Sequence, residues 1–204
     1  AIMLPANSLV VKCPYCQGKK ELLQLRSGNT FGTQLWSDSK QIAPMLPRVS
    51  PVQKCTCCGR YYLLSRIDRS NMATGTNCSF ETGWLTFEEA IEANKDIECL
   101  SIEEQSTMAI VTIWAYNDII RENNEPSTIQ QETYKNYISN LLNIPRIFDD
   151  NILLRAELYR EISEFEKCLS TLEGFSVDDD FIKGISETVV NKAKIEDSKV
   201  FKIQ

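Results

Sequence analysis

The sequence predicts an α+β protein, with short strands in the first third of the chain and helices in the remainder. From about Leu9 to Arg66, brief apolar runs alternate with Gly and Pro. From Thr86 onward the apolar residues recur with the period of an amphipathic helix. Two cysteine pairs, Cys13/Cys16 and Cys55/Cys58, bracket the strand-rich region.

Leu9–Lys12, Glu21–Leu25, Phe31–Trp36 and Tyr61–Leu64 are the expected strands, with Gly18, Gly28, Gly32 and Gly59 at turns between them. Pro44, Pro47 and Pro51 punctuate an extended loop. Residues 67–85, rich in Ser, Asn, Thr and Gly, read as a polar linker. Thr86-Phe-Glu-Glu89 is a capping box, in which hydroxyl and carboxylate satisfy each other's backbone N–H, and it opens the first helix. Ser101-Ile-Glu-Glu104 opens a second, running to about Arg121 and apolar nearly all round, as the middle helix of a bundle is. Ser127–Gln130 opens a third that Pro145 stops. Helices over 150–162, 163–173 and 178–194 complete six, joined by connections short enough for antiparallel neighbours. The expected organisation is thus 1–66, with an inserted loop at about 26–51, a linker at 67–85, and an all-α bundle at 86–204.

The 204 residues include no His, which removes His-based acid/base catalysis, Ser-His and Cys-His nucleophiles and His-containing metal sites. Neither G-x-G-x-x-G nor G-x-x-x-x-G-K-[ST] occurs, so nucleotide-phosphate loops have no support. An enzymatic role is not expected. Net charge is −6, yet residues 1–85 carry ten Lys/Arg against four Asp/Glu, and the remainder twelve against 24. Attraction between the two regions and an external partner both account for such a split. The longest apolar run, Met108–Tyr116, is broken by Thr112 and falls short of the roughly 20 residues a membrane span needs. No basic, then apolar, secretion leader opens the sequence, and the cysteines lie in metal-type pairs, so a cytoplasmic protein is expected.

Cys13-Pro-Tyr-Cys16 and Cys55-Thr-Cys-Cys58-Gly59 each put two sulfurs on a tight turn. Two such turns facing one another make an S₄ cage of the kind that holds zinc at about 2.3 Å. Two disulfides or four free thiols are the alternatives, iron suits the same donors, and Cys57 competes with Cys58 as a ligand. Here the chain resembles the zinc-ribbon family, whose knuckles read C-P-x-C and C-x-x-C-G. The resemblance implies a three-stranded sheet around one structural zinc on Cys13, Cys16, Cys55 and Cys58. The 17–54 spacer is longer than ribbons usually have. The whole also resembles uncharacterised bacterial zinc-ribbon proteins, which implies no activity. Four thiolates close the coordination shell, so the metal is expected to be structural. Cys78, Cys99 and Cys168 read as small buried apolar residues on helical faces.

Ala156-Glu-Leu-Tyr159, Ser163-Glu-Phe165 and Cys168–Leu172 resemble one tetratricopeptide helix pair, with Ser163 where Gly is usual and Cys168 where Ala is usual. That resemblance implies a protein-docking surface. Asp149-Asp150 and Asp178–Asp180 read as helix caps, and Asp118 with Glu122 as a solvated edge. The insert concentrates Phe31, Trp36, Met45 and Leu46, which either pack back or meet a partner, with Phe31, Trp36 and Met45 the candidate contacts. A non-enzymatic zinc-binding module that interacts with a protein is the expected function. The alternative is nucleic-acid binding through Lys12, Lys19, Lys20, Arg26, Lys54 and Arg60, with Tyr15, Tyr61 and Tyr62 as stacking surfaces. With so few cations it would be weak at physiological salt.

Overall fold

A computed structural model describes residues 3–203. Strands come first: β1 (Leu4–Pro5), β2 (Leu9–Lys12), β3 (Lys19–Leu22), β4 (Leu25–Ser27), β5 (Gln34–Trp36), β6 (Gln41–Ile42), β7 (Val52–Lys54), β8 (Tyr61–Leu63) and β9 (Met72–Thr74). Helices follow: α1 (Phe87–Asp96), α2 (Ile102–Arg121), α3 (Thr128–Leu142), α4 (Ile152–Glu161), α5 (Phe165–Thr171) and α6 (Asp180–Lys194), before a last strand, β10 (Lys202–Ile203). The class is α+β, and the strands form small antiparallel sheets.

Chain contacts divide the molecule into two units, one holding residues up to Thr33 and Ile42–Ala115, the other Gln34–Gln41 and residues from Tyr116 onward. The division falls inside α2, not in the segment expected to be a linker.

In the first unit β2 pairs with β3, Leu9 opposite Leu22 and Lys12 opposite Lys19, and on its other edge with β9. The three-stranded sheet is therefore β3-β2-β9, and the second cysteine pair sits on a separate hairpin, β7-β8. Val11 and Leu22 face inward, fully buried, in a cluster with Cys13, Cys55, Tyr62 and Ile67. Tyr61, Tyr62 and Leu63 are all buried, so β8 is covered on both faces. Residues 67–85 are built into the sheet region through the main chain. Besides β9, Ser8 N–H donates to Asn77 O, Leu23 N–H to Glu81 O and Ser50 N–H to Thr82 O, at 2.8, 2.7 and 2.8 Å. Such bonds need no apolar side chains, which is why a polar stretch reads as a linker.

The capping boxes at Thr86, Ser101 and Ser127 all form, each hydroxyl accepting from the N–H three residues on while the Glu or Gln there accepts in return. Buried Met108, Ala109, Val111, Ile113, Ala115 and Tyr116 cover most of the circumference of α2, as its composition requires. At 178–180 the cap is Asp179, but Asn151 caps α4, while Asp149 accepts from the Arg146 N–H in the preceding turn.

In the second unit α4, α5 and α6 share a core of Ala156, Cys168, Leu172, Ile185, Val189 and Ala193. Ser163, between α4 and α5, has φ of 64°, a left-handed conformation that Gly would adopt at less cost. The tip of the insert also belongs to this unit. Trp36 pairs with Lys202 and Leu35 with Ile203, so the unit expected to be all-α carries a strand pair. Asp38, fully buried, meets Arg121 and Asn117 of α2. Asp118 lies against Lys40 at 2.6 Å and Arg121 at 2.9 Å, so it is part of an ion network and not a solvated edge.

Candidate metal centre

The two cysteine pairs occupy equivalent places on two hairpins. Cys13 leaves β2 and Cys55 leaves β7. The N–H of Gln17 donates to Cys13 O and that of Gly59 to Cys55 O, both at 3.0 Å. Cys13 N–H closes the first turn on Gly18 O at 2.9 Å, and Cys55 N–H the second on Arg60 O at 2.8 Å. Gln17 and Gly59 both take positive φ, 62° and 75°. The same turn, built twice, aims four sulfurs at one point.

The sulfurs of Cys13, Cys16, Cys55 and Cys58 all lie within 4.8 Å of one another. Cys13 and Cys58 are 3.8 Å apart and Cys16 and Cys55 3.5 Å, close to the ~3.8 Å edge of a tetrahedron with zinc–sulfur bonds of about 2.3 Å. Backbone amides turn toward sulfur in both knuckles, Gly18 N–H to Cys16 and Cys57 N–H to Cys55, each at 3.4 Å. Cys13 and Cys55 are buried, Cys16 and Cys58 exposed. Spacing, donor type and amide placement all fit a soft divalent ion.

Titration of the bare thiols follows from the same contacts. Burial works against a Cys55 thiolate, but the amides of Cys58 and Cys57 and the thiols of Cys16 and Cys58 outweigh it, bringing this thiol down to about 6. For Cys16 the Gly18 amide favours the thiolate, yet the Cys55 sulfur, burial and the other two sulfurs push it up to about 12. Burial raises Cys13 as well. One proton leaves readily and those of Cys16 and Cys13 do not, so without a cation the group carries little charge, and a cation bound there would favour the further thiolates. Tyr62, beside the group, is pushed up to about 12 by burial and then by the cysteine charges.

Cys57 lies outside the four-sulfur group, packed over Gly18, where a Cβ would come within 2.6 Å of its sulfur. That close approach explains the glycine. Cys168 is fully buried as its flanking residues imply. Cys78 and Cys99 are exposed, because neither falls within a helix.

The structure separates the other singled-out residues. Phe31 is 85% exposed on a turn of the first unit. Trp36 is half-buried on β5, with the Arg121 guanidinium 5.2 Å from its ring centre. Met45 is half-buried near Gly28, where a Cβ would meet Met45 O at 2.3 Å. Tyr61 and Tyr62 are buried and cannot stack on a base, and Arg60 sits 3.6 Å from the centre of the Tyr15 ring.

The acids that answer the basic residues went unread in the sequence. Lys54 pairs with Glu89 at 3.0 Å, Arg60 with Asp96 at 3.5 Å and Arg66 with Glu104 at 2.7 Å. Glu89 and Glu104 are the capping-box carboxylates, each serving a helix end and a cation at once. With the acids of α1 and α2 included, the first unit holds ten Lys/Arg and ten Asp/Glu, and the charge split of the sequence vanishes within it. No family model, curated protein or solved structure matches this chain.

Proposed function

We propose that the chain is a non-enzymatic protein whose Cys13, Cys16, Cys55 and Cys58 hold one structural zinc ion, with the remainder a scaffold for a protein partner. The convergence of four sulfurs from two matching hairpins carries the reading. Zinc there supplies a cross-link between hairpins that share no ladder with each other. Four thiolates leave no open position for substrate, which supports a structural role. A thiolate site of this kind belongs in a reducing compartment, in keeping with a cytoplasmic protein. Exposed Phe31 and the tetratricopeptide-like α4–α5 pair support the protein-partner part. Nucleic-acid binding is less supported, because the first unit is formally neutral and two of its three candidate tyrosines are buried.

Metal analysis of protein purified without chelator tests the zinc reading. The expected result is about one zinc per chain, kept in Cys57→Ser and lost in Cys58→Ser. Metal-free protein with two intact disulfides would end it.

A further inference from the structure

Within the second unit, a cleft of about 460 Å³ opens between the end of α2, α3, the end of α4 and the chain at Ser198–Lys199. Its inner wall is Tyr116, Tyr134 and Glu161. The two tyrosine rings stack nearly parallel, 4° apart in plane, with centroids 3.8 Å apart. Glu161 is 9% exposed and is held in place by the Tyr134 hydroxyl and, at 3.1 and 3.2 Å, by the Asn117 side-chain amide. Both donors are neutral.

Glu161 differs in this from the other buried carboxylates. Among the described residues the buried acids are Asp38, Glu157 and Glu161. Asp38 faces Arg121, and Glu157 faces Arg160 at 2.5 Å. Arg160 is further committed to the carbonyls of Asp197 and Lys199. Glu161 has no ion pair among the described residues. Burial, then the charges of Glu157 and Asp38, push its carboxyl up to about 8, against the opposing effects of Tyr134 and Arg160. A carboxylate so placed either keeps its proton or takes a counter-ion from outside the chain. It borders open space on the cleft side, and a carboxylate has about four acceptor positions, more than its present donors fill.

We propose that this cleft binds a small organic cation, a primary ammonium bearing a short hydrocarbon, with Glu161 as its counter-ion. Ile120, Pro126 and Ile162 provide an apolar wall for the hydrocarbon. At the mouth Glu125 is already tied to Lys199 at 2.7 Å, and Glu132 and Lys135 offset one another in charge, so the unmatched charge lies at the bottom. A bare divalent metal suits the site poorly, because it wants six or more oxygen ligands and the flanking groups at Glu161 include an amide nitrogen.

The full chain, with its metal site intact, is titrated with n-butylammonium and with n-butanol as neutral isostere, above the Glu161 titration near pH 8. Backbone amide NMR shifts are followed. Saturable shifts around 116–134 and 161–163 with butylammonium are expected, at least tenfold weaker with butanol, and equally weakened in Glu161→Gln. Gln keeps the size of the side chain and one acceptor oxygen for the Asn117 amide, with its own N–H turned to the Tyr134 hydroxyl oxygen, and the butanol comparison needs no variant at all. Equal response to the two probes, an unchanged response in folded Glu161→Gln, or no saturation by about 50 mM would each overturn the proposal.

Discussion

The two units of this chain bury polar groups of different kinds. In the first unit the buried polar residues are Ser8, Ser50, Gln53 and Thr112, all neutral, and its charged pairs lie toward the surface. In the second they include Asp38, Glu157, Arg160 and Glu161. The first unit has short strands, and its four-sulfur group lies half in a buried cluster, through Cys13 and Cys55, and half at the surface, through Cys16 and Cys58. In the second, helices supply the apolar core, and two of the buried acids beside it, Asp38 and Glu157, are matched by arginines. On the proposed zinc reading, cohesion in the first unit depends on an ion from outside the chain, and in the second on side chains finding partners far along it.

Metal removal is the most severe test of that contrast. Zinc binding in such sites is worth on the order of 10–16 kcal/mol and is coupled to folding. Chelation, or Cys58→Ser, should strip amide-exchange protection from β2, β3, β7 and β8. Protection in α4 and α6, whose core contains none of the four ligands, should fall much less. Uniform loss across both units would break the comparison.

The second unit is tested by Arg160→Leu. This guanidinium binds Glu157 through two nitrogens and also donates to the carbonyls of Asp197 and Lys199, anchoring the segment that leads into β10. Removing it leaves Glu157 charged and buried, a loss of about 3–5 kcal/mol. Urea denaturation measures this, and Glu157→Leu added to Arg160→Leu should recover part of it. A cost below about 1 kcal/mol would show the pair to be dispensable.

The same contrast explains which parts could be read in advance. The four-sulfur group was legible because its cysteines come in two local pairs, and the turn that aims each pair needs only a short run of consecutive residues. Capping boxes at Thr86, Ser101 and Ser127 were legible for the same reason, and with them the six helices. Asp38 with Arg121, Asn117 with Glu161 and Arg160 with the Asp197 carbonyl are separated by 83, 44 and 37 residues, and no local spacing announces them. Nor could β7, where Gln53 is fully buried yet reads as polar, or β9, which is held by its backbone.

Glu161 makes the contrast pH-dependent. Its carboxyl titrates near 8 in the fold against an ordinary 4.5, facing Glu157, Asp38, Arg160 and Tyr134, with the Tyr116 ring nearby. Between those values the folded protein holds a proton that the unfolded chain releases. This group's contribution is thus fully present below pH 4.5, declines as pH rises, and levels off above about 8. A tenfold change in proton affinity is worth about 1.4 kcal/mol, so the loss comes to a few kcal/mol at most. Glu161→Gln has no proton to lose, so its stability relative to wild type should climb across that window and then stop climbing. Urea midpoints of both proteins at several pH values decide it, and a difference independent of pH would mean the folded carboxyl is ionised throughout.

The smallest effects compare two aromatic residues only five positions apart but in different units. Trp36 lies half-buried on β5, against Arg121 and in the strand pair with β10. Emptying a fully buried Trp site costs about 3–5 kcal/mol, so a half-buried one should cost about 2 in Trp36→Ala. Phe31 follows a turn in which its N–H donates to Asn29 Oδ1 at 2.8 Å, and its ring is 85% exposed. Alanine keeps that N–H and gives up almost no buried area, so Phe31→Ala should stay within about 0.5 kcal/mol of wild type. A stable Phe31→Ala beside a weakened Trp36→Ala assigns the tip of the insert, Gln34–Gln41, to the second unit and leaves Phe31 before it as surface free to meet a partner. If Phe31→Ala instead loses stability and Trp36→Ala does not, the insert packs the other way round, and the partner-binding reading loses its most exposed contact.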